Sequence, residues 1–312
     1  MTNFVISTSQ GGLSNRIKCL ISSMKIADKT NRKLLLFWSK DKSCNCNFKD
    51  LFENKIKEIS KEDLKKIIIT KKYEIYQNSL KNFKNKKRFI LIDNAKLLGF
   101  LEKDICIGFN EIPKEIKEDV LKYFKKLKIK KDILKKVQNL SKRFNKNTVG
   151  IHIRKGDFKT LKNGVGKISK EDLFIEKMKK ELKENPKINF LLATEDEETE
   201  NKFKKIFKNK LSTYSKKTKE REEEGAVKEA FIDLLLLSKT KEILGTYGST
   251  FSETAWWLNN CKPKINIVYD KENLRKHIKI KNKEKNLKNK FKRFLYELIT
   301  PKSRRFFRVV VK

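Results

Sequence analysis

No apolar run in this 312-residue sequence approaches the ~20 residues that a membrane-crossing helix needs; Leu234 to Leu237 with its neighbours falls far short. Arginine and histidine are scarce as well: 11 Arg and two His stand against 66 Lys. Proteins that read nucleic acid rely on Arg forks and on recognisable modules. Neither zinc-finger spacing nor an aromatic RNP motif is present. The formal charge of +38 is therefore read as the Lys-, Ile- and Asn-rich bias of an AT-rich genome, and no nucleic-acid partner is expected. A basic surface still favours anionic ligands. The five cysteines (Cys19, Cys44, Cys46, Cys106, Cys261) are an odd number without a secreted framework. Cys44-Asn-Cys46 is their one close pair, and no second Cys/His pair lies near it, so reduced thiols are expected and no metal site. Met1-Thr2-Asn3 runs straight into a short apolar segment without a signal-peptide pattern, and the expected location is the cytoplasm.

What is present is a chain long enough for two domains, with 38% apolar residues, 37% charged residues and 21 Phe. Phe4–Ser7 reads as a strand, Gln10-Gly-Gly-Leu-Ser14 as a glycine loop, Ile17–Ala27 as a helix and Lys33–Trp38 as a buried strand, the opening of a βαβ unit. Weaker strand candidates are Lys66–Thr70, Arg88–Ile92 and Asp104–Ile107, and Lys114–Phe144 reads as helical. The second half alternates more clearly. Strands are expected at Thr148–Ile153, Ile188–Ala193, Leu211–Tyr214, Glu242–Gly245 and Ile265–Val268. Helices are expected at Lys170–Leu182, Glu198–Phe207, Ala226–Lys239 and Glu253–Leu258, with Tyr247–Ser252 a loop. Such alternation means parallel sheets covered on both faces. The expected fold is α/β: an N-terminal Rossmann-like domain over 1–145 with the Gly-rich loop, a C-terminal one over 146–270, and a cleft between them. The tail 271–312 carries 16 Lys/Arg against three Glu and sets Phe291, Phe294, Leu295 and Leu298 on one helical face. It suits an anionic membrane surface, on the inner face of the membrane for a cytoplasmic protein.

Three loops fall at the carboxyl ends of expected strands, where α/β proteins bind ligands. Gly11-Gly12 allows close backbone approach and leads into a helix start that favours anions, with Asn15 and Arg16 beside it; the same glycines also suit a tight βα turn. His152 and Arg154 share one face of a strand, and Asp157 could orient the Arg fork, which suits phosphate oxygens. Tyr247, Gly248, Ser249, Thr250, Phe251 and Ser252 enter a helix whose hydroxyls can cap it and also donate to an anion. Between these loops, Thr194-Glu195-Asp196 places two carboxylates at a strand end, where they could accept from a ribose or a base.

In this order and spacing the blocks Gly11–Arg16, His152-Ile-Arg154-Lys-Gly-Asp157, Leu192–Asp196, and Asp233–Ser238 running into Gly245–Ser252 resemble the superfamily of α1,6-, α1,2- and protein O-fucosyltransferases, which includes the nodulation fucosyltransferases. The resemblance covers residues 3 to about 260 and is weak over 40–145. It implies a two-domain GT-B fold, with the donor on the second domain, and inverting, metal-independent transfer of fucose from GDP-fucose to a glycan acceptor such as a cell-surface polysaccharide, with no cofactor. By that resemblance Arg154 binds the β-phosphate, His152 assists at the donor and Glu195 or Asp196 contacts the nucleoside. Ser249, Thr250 and Ser252 hold the pyrophosphate, and Asn15 and Arg16 close over the donor from the first domain. One departure is visible: some α1,6-acting relatives carry a Glu shortly after the His-x-Arg-x-x-Asp block, whereas Phe158 to Lys170 holds no carboxylate. A non-catalytic relative that binds a nucleotide-sugar or glycan, and a basic nucleic-acid-binding protein, are the competing readings.

Overall fold

The computed structural model describes residues 2–8, 11–70, 72–76, 87–93, 97, 100, 106–155, 165–216, 223 and 225–286. Among them the chain forms two units. The described residues of 1–104 and 118–128 belong to the first, and those of 105–117 and 129–283 to the second.

In the first unit β1 (Phe4–Ser7), β2 (Lys33–Leu36), β3 (Lys57–Glu58), β4 (Tyr73–Ile75) and β5 (Phe89–Ile92) lie in the order β3-β2-β1-β5-β4, every pair parallel. The helices α1 (Leu13–Lys29) and α2 (Lys61–Ile69) connect them. Val5 and Ile6 point to opposite sides of β1 and join separate clusters, one with Cys19, Ile26 and Ile90, the other with Leu35, Leu64 and Leu91. That is the signature of a strand buried on both faces. Lys66–Thr70, expected as a strand, instead lies in and just after α2. Ser60 starts that helix: its hydroxyl accepts from the Asp63 amide at 3.0 Å, while Asp63 accepts from the Ser60 amide at 3.3 Å. Leu64 and Ile68, one turn apart, then face the core.

The second unit holds β6 (Thr148–Ile153), β7 (Asn189–Thr194), β8 (Leu211–Thr213), β9 (Glu242–Thr246) and β10 (Lys264–Val268), again all parallel, in the order β10-β9-β6-β7-β8. The expected helix Lys114–Phe144 is two: α3 (Lys114–Phe124), which begins in the second unit and ends in the first, and α4 (Lys131–Ser141). α5 (Glu171–Glu184), α6 (Glu197–Phe207), α7 (Ala226–Ser238), α8 (Thr250–Leu258) and α9 (Lys271–Asn286) follow. All six residues of β6 are buried, and Val149, Ile151 and Ile153 pack with Phe174, Phe190, Phe203 and Phe207 in the main core. Burying each such side chain stabilises the fold by roughly 1.5–3 kcal/mol. At 104–107, the described residues 106 and 107 form no strand. No helix among the described residues is long and apolar enough to cross a membrane. Phe291, Phe294, Leu295 and Leu298 of the tail lie outside the described residues.

Candidate active site

From β6 the chain adds β7 and β8 on one side, then returns to add β9 and β10 on the other. The order reverses between β6 and β9. At such a switch point the loops at the carboxyl ends diverge and leave room for a ligand, and the described sequence-predicted residues of this unit gather at these strand ends.

His152 stands opposite Gly245 of β9 and Ala193 of β7. The residue is only 4% exposed; its Nδ1 lies 2.8 Å from Ser252 Oγ, and its ring stacks on Phe251 at 4.7 Å between centroids. Gly245 makes this contact possible. A Cβ at that position would lie 2.6 Å from Ser252 Oγ and 2.8 Å from its Cβ, so only glycine lets α8 approach β9 so closely. Gly245→Ala is therefore expected to push the start of α8 away and to destabilise by about 1–3 kcal/mol, read as a lower thermal midpoint and a shifted His152 ring resonance. An unchanged midpoint and spectrum would show that the space is not tight.

Arg154 leaves the sheet one residue beyond β6. Its amide donates to Thr246 Oγ1 at 3.0 Å, and its guanidinium meets Glu195 Oε1 at 2.9 Å. The same carboxylate oxygen accepts the Lys155 amide at 3.0 Å. The Lys155 ammonium turns to Glu171, whose other oxygen pairs with Lys202 at 2.9 Å. Burial opposes ionisation of Glu171, but hydrogen bonds from Lys155, Lys202 and Thr199 prevail and hold its carboxyl at about 2. Asp157, expected beside Arg154, lies outside the described residues. Among the described residues Arg154 pairs with Glu195, one of the two carboxylates that the resemblance places against a donor nucleoside.

The neighbouring carboxylate has a local task too. Asp196 caps α6, accepting from the Thr199 amide at 3.0 Å and its hydroxyl at 2.6 Å. Thr194 Oγ1 accepts the Asp196 amide at 3.2 Å, which fixes the turn.

After β9, Tyr247 is buried in a cluster with Ile168 and Leu274, and its amide donates to Ser169 Oγ at 2.9 Å. It is thus a packing residue that anchors the loop. Gly248 follows with φ of 71°, in the left-handed region. Ser249 caps α8, its hydroxyl accepting from the Phe251 amide at 3.4 Å. The helix therefore starts at Thr250, three residues earlier than expected, because the serine cap decides the boundary. Gly248 is exposed and Ser249, Thr250 and Phe251 are half-buried, so the helix start presents its first turn at the strand ends.

The Gly11-Gly12 turn belongs to the first unit. A Cβ on Gly11 would lie 2.6 Å from Asn15 Nδ2, so glycine lets Asn15 fold over the turn. Gly12 is the extended residue before α1. Arg16, expected to reach a donor, is 2% exposed and turned into its own unit. Its guanidinium donates to Gly11 O at 2.7 Å, Ser39 O at 2.5 Å and Asp41 at 2.6 Å, and lies over the Trp38 ring. This side chain locks the turn to the 38–41 segment.

Three residues that sequence reasoning had not paired complete the second-unit site. Thr246 bridges β6 and β9. Lys216 donates to Thr194 O at 2.9 Å and pairs with Asp233 at 2.7 Å, both side chains largely enclosed. Asp233 carried one signal, an acid set inside the apolar run Phe231–Leu237; Lys216 carried none among so many lysines. Cys44 and Cys46 are buried free thiols with Sγ atoms 3.7 Å apart, and among the described residues no group of three or more His, Cys, Asp or Glu could hold a metal ion.

No protein-family model matches the chain, nor does any curated protein. Several solved structures do. NodZ alpha-1,6-fucosyltransferase soaked with GDP-fucose matches 83% of this chain and 93% of its own at 16% identity and a TM-score of 0.56. A variant of Arabidopsis thaliana FUT1 in complex with GDP matches 85% of this chain and 70% of its own at 14% identity and 0.56. POFUT1 in complex with GDP matches 86% and 98% at 12% identity and 0.52. The two parallel α/β units thus have the fold of GT-B fucosyltransferase structures.

Proposed function

We propose that the chain is an inverting, metal-independent glycosyltransferase that transfers fucose from GDP-fucose to a glycan, with the donor held by the second unit and the acceptor side on the first. The observation that carries this reading is the meeting of His152, Arg154 and the α8 start at the switch point of the second sheet, in a fold shared with structures that contain GDP or GDP-fucose.

The chemistry follows from those groups. Breaking the bond between fucose and the β-phosphate leaves negative charge on the departing nucleoside diphosphate. Arg154 offers a rigid two-pronged donor to that phosphate. The Ser249 and Thr250 hydroxyls and the first-turn amides of α8 supply further donors, preorganised by the helix. His152, held by Ser252 and Phe251, stands beside them as a second polar group at the donor. Together these stabilise the leaving group without a metal ion. The stretch from Phe158 to Lys170 offers no carboxylate base, and Asp157 and Glu171 are the acids that border it.

Purified protein is expected to gain thermal stability from GDP, by about 2.7 kcal/mol at a hundredfold excess over Kd, and to show no gain from duplex DNA at physiological salt. Across a panel of nucleotide-sugars, GDP-fucose should be turned over fastest, with the rate unchanged by EDTA. A midpoint unmoved by GDP together with no GDP-fucose turnover would overturn the reading. Activity lost to EDTA and restored by Mn²⁺ or Mg²⁺ would overturn its metal-independent part alone. GDP binding without any turnover would favour a non-catalytic relative.

A further inference from the structure

We propose that Thr246 is a positioning residue that sets both His152 and Arg154 for the reaction; this rests on reading Arg154 as the ligand of the donor phosphate. The paired register of β6 and β9 ends at His152 opposite Gly245. Beyond it the chain must turn Arg154 out of the sheet, and its amide would lose a ladder partner inside the protein. Thr246 Oγ1 takes over: it accepts the Arg154 amide at 3.0 Å and donates its own proton to His152 O at 2.9 Å. The direction of both bonds is fixed, because an amide only donates and a carbonyl only accepts, and a hydroxyl is a small group that does both at once.

The two contacts fall on either side of Ile153, so one hydroxyl clamps the backbone that carries both polar side chains. Packing alone does not call for it. Thr246 is 2% exposed, and a valine of the same shape would fill that space and suit a strand equally well. The guanidinium, reaching Glu195 from this clamped backbone, inherits any shift in the 153–154 peptide. A displacement of about 1 Å in a group that acts on the reacting centre costs on the order of 10²-fold in rate.

The test compares Thr246→Val and Thr246→Ser with the unaltered full-length chain and with Arg154→Ala, measuring kcat and donor KM for GDP-fucose well below each thermal midpoint. Thr246→Val should lose about 10- to 100-fold in kcat with a smaller change in KM, and Thr246→Ser, which keeps the hydroxyl, should recover most of the loss. Added to Arg154→Ala, the valine change should cost less than it does alone, because only the share that acts through His152 is left. Should the valine variant fail to fold, Thr246→Ala, which likewise removes the hydroxyl, is read in the same way. Normal turnover in Thr246→Val, or losses that add fully to those of Arg154→Ala, would overturn the positioning role while leaving the transferase reading intact. An unaltered chain that neither binds GDP nor turns over GDP-fucose would instead remove the reading on which it rests, and the positioning role with it.

Discussion

Arg154→Ala should stay folded and lose about 10²–10³ in kcat toward GDP-fucose, the usual cost of deleting one electrostatic contact to a developing charge. Donor KM should move less, because the contact strengthens only as the bond to the phosphate breaks. Arg154→Lys should rescue little, since a point charge cannot reproduce a planar fork. The competing role is visible in the structure: the guanidinium bonds to Glu195 at 2.9 Å, so the pair could simply tie β6 to the end of β7. A tie predicts a lower thermal midpoint with near-normal turnover. Glu195→Gln separates the two, for it keeps the shape and one hydrogen-bond acceptor while releasing the charge that competes for Arg154. Measuring kcat and midpoint together for the three variants decides between them. A folded Arg154→Ala protein with more than about a tenth of normal kcat would remove Arg154 from the reaction.

Much of the fold could be read because its long elements announce themselves. Thr148–Ile153 is buried at all six positions, and the structure places β6 at those bounds. The short edge strands could not be read: β3 is two exposed residues, Lys57 and Glu58, with no pattern to detect. The run Ile67-Ile68-Ile69 misled because β-branched residues suit strands. Its outcome was set seven residues upstream by the Ser60 cap, and Ile69 is 77% exposed. At the site, residue types could be read but partners could not. Arg154 meets Glu195 across 41 positions and Thr246 across 92. The resemblance had Arg16 closing over a donor, and in the structure its guanidinium bonds to the carbonyls of Gly11 and Ser39 and to the Asp41 carboxylate. Such choices depend on which strands become neighbours, which only the topology settles.

Lys216→Met should destabilise the protein by about 3–5 kcal/mol near neutral pH, because it strands a buried charge. The Asp233 side chain is 3% exposed and that of Lys216 14%, and their pair spans only 2.7 Å. Burial works against the charge on Lys216, and the Asp233 carboxylate more than restores it, so the ammonium titrates above its ordinary value. Burial likewise pushes the Asp233 carboxyl upward, against the pull of Lys216. Its second oxygen, Oδ1, has no hydrogen-bond partner among the described residues. Without Lys216 the carboxyl rises further and takes up a proton on folding. The folded form then binds more protons than the unfolded one, so the penalty is small below the unfolded carboxyl value of about 3.9 and grows as pH rises above it. Denaturant unfolding of Lys216→Met from pH 4 to 8 should therefore show a deficit that widens with pH. Removing both charges, as in Lys216→Met with Asp233→Leu, should recover most of the stability, as replacing a buried pair by apolar residues generally does. Turnover need not return with it, because Lys216 also donates to Thr194 O, one residue from the Glu195 that holds Arg154. A stable double variant with low kcat would show that the buried pair shapes the site as well as supporting the fold. A Lys216→Met deficit below about 1 kcal/mol and flat with pH would show that Asp233 finds water or another partner there, and that the pair is not the buried unit its geometry describes.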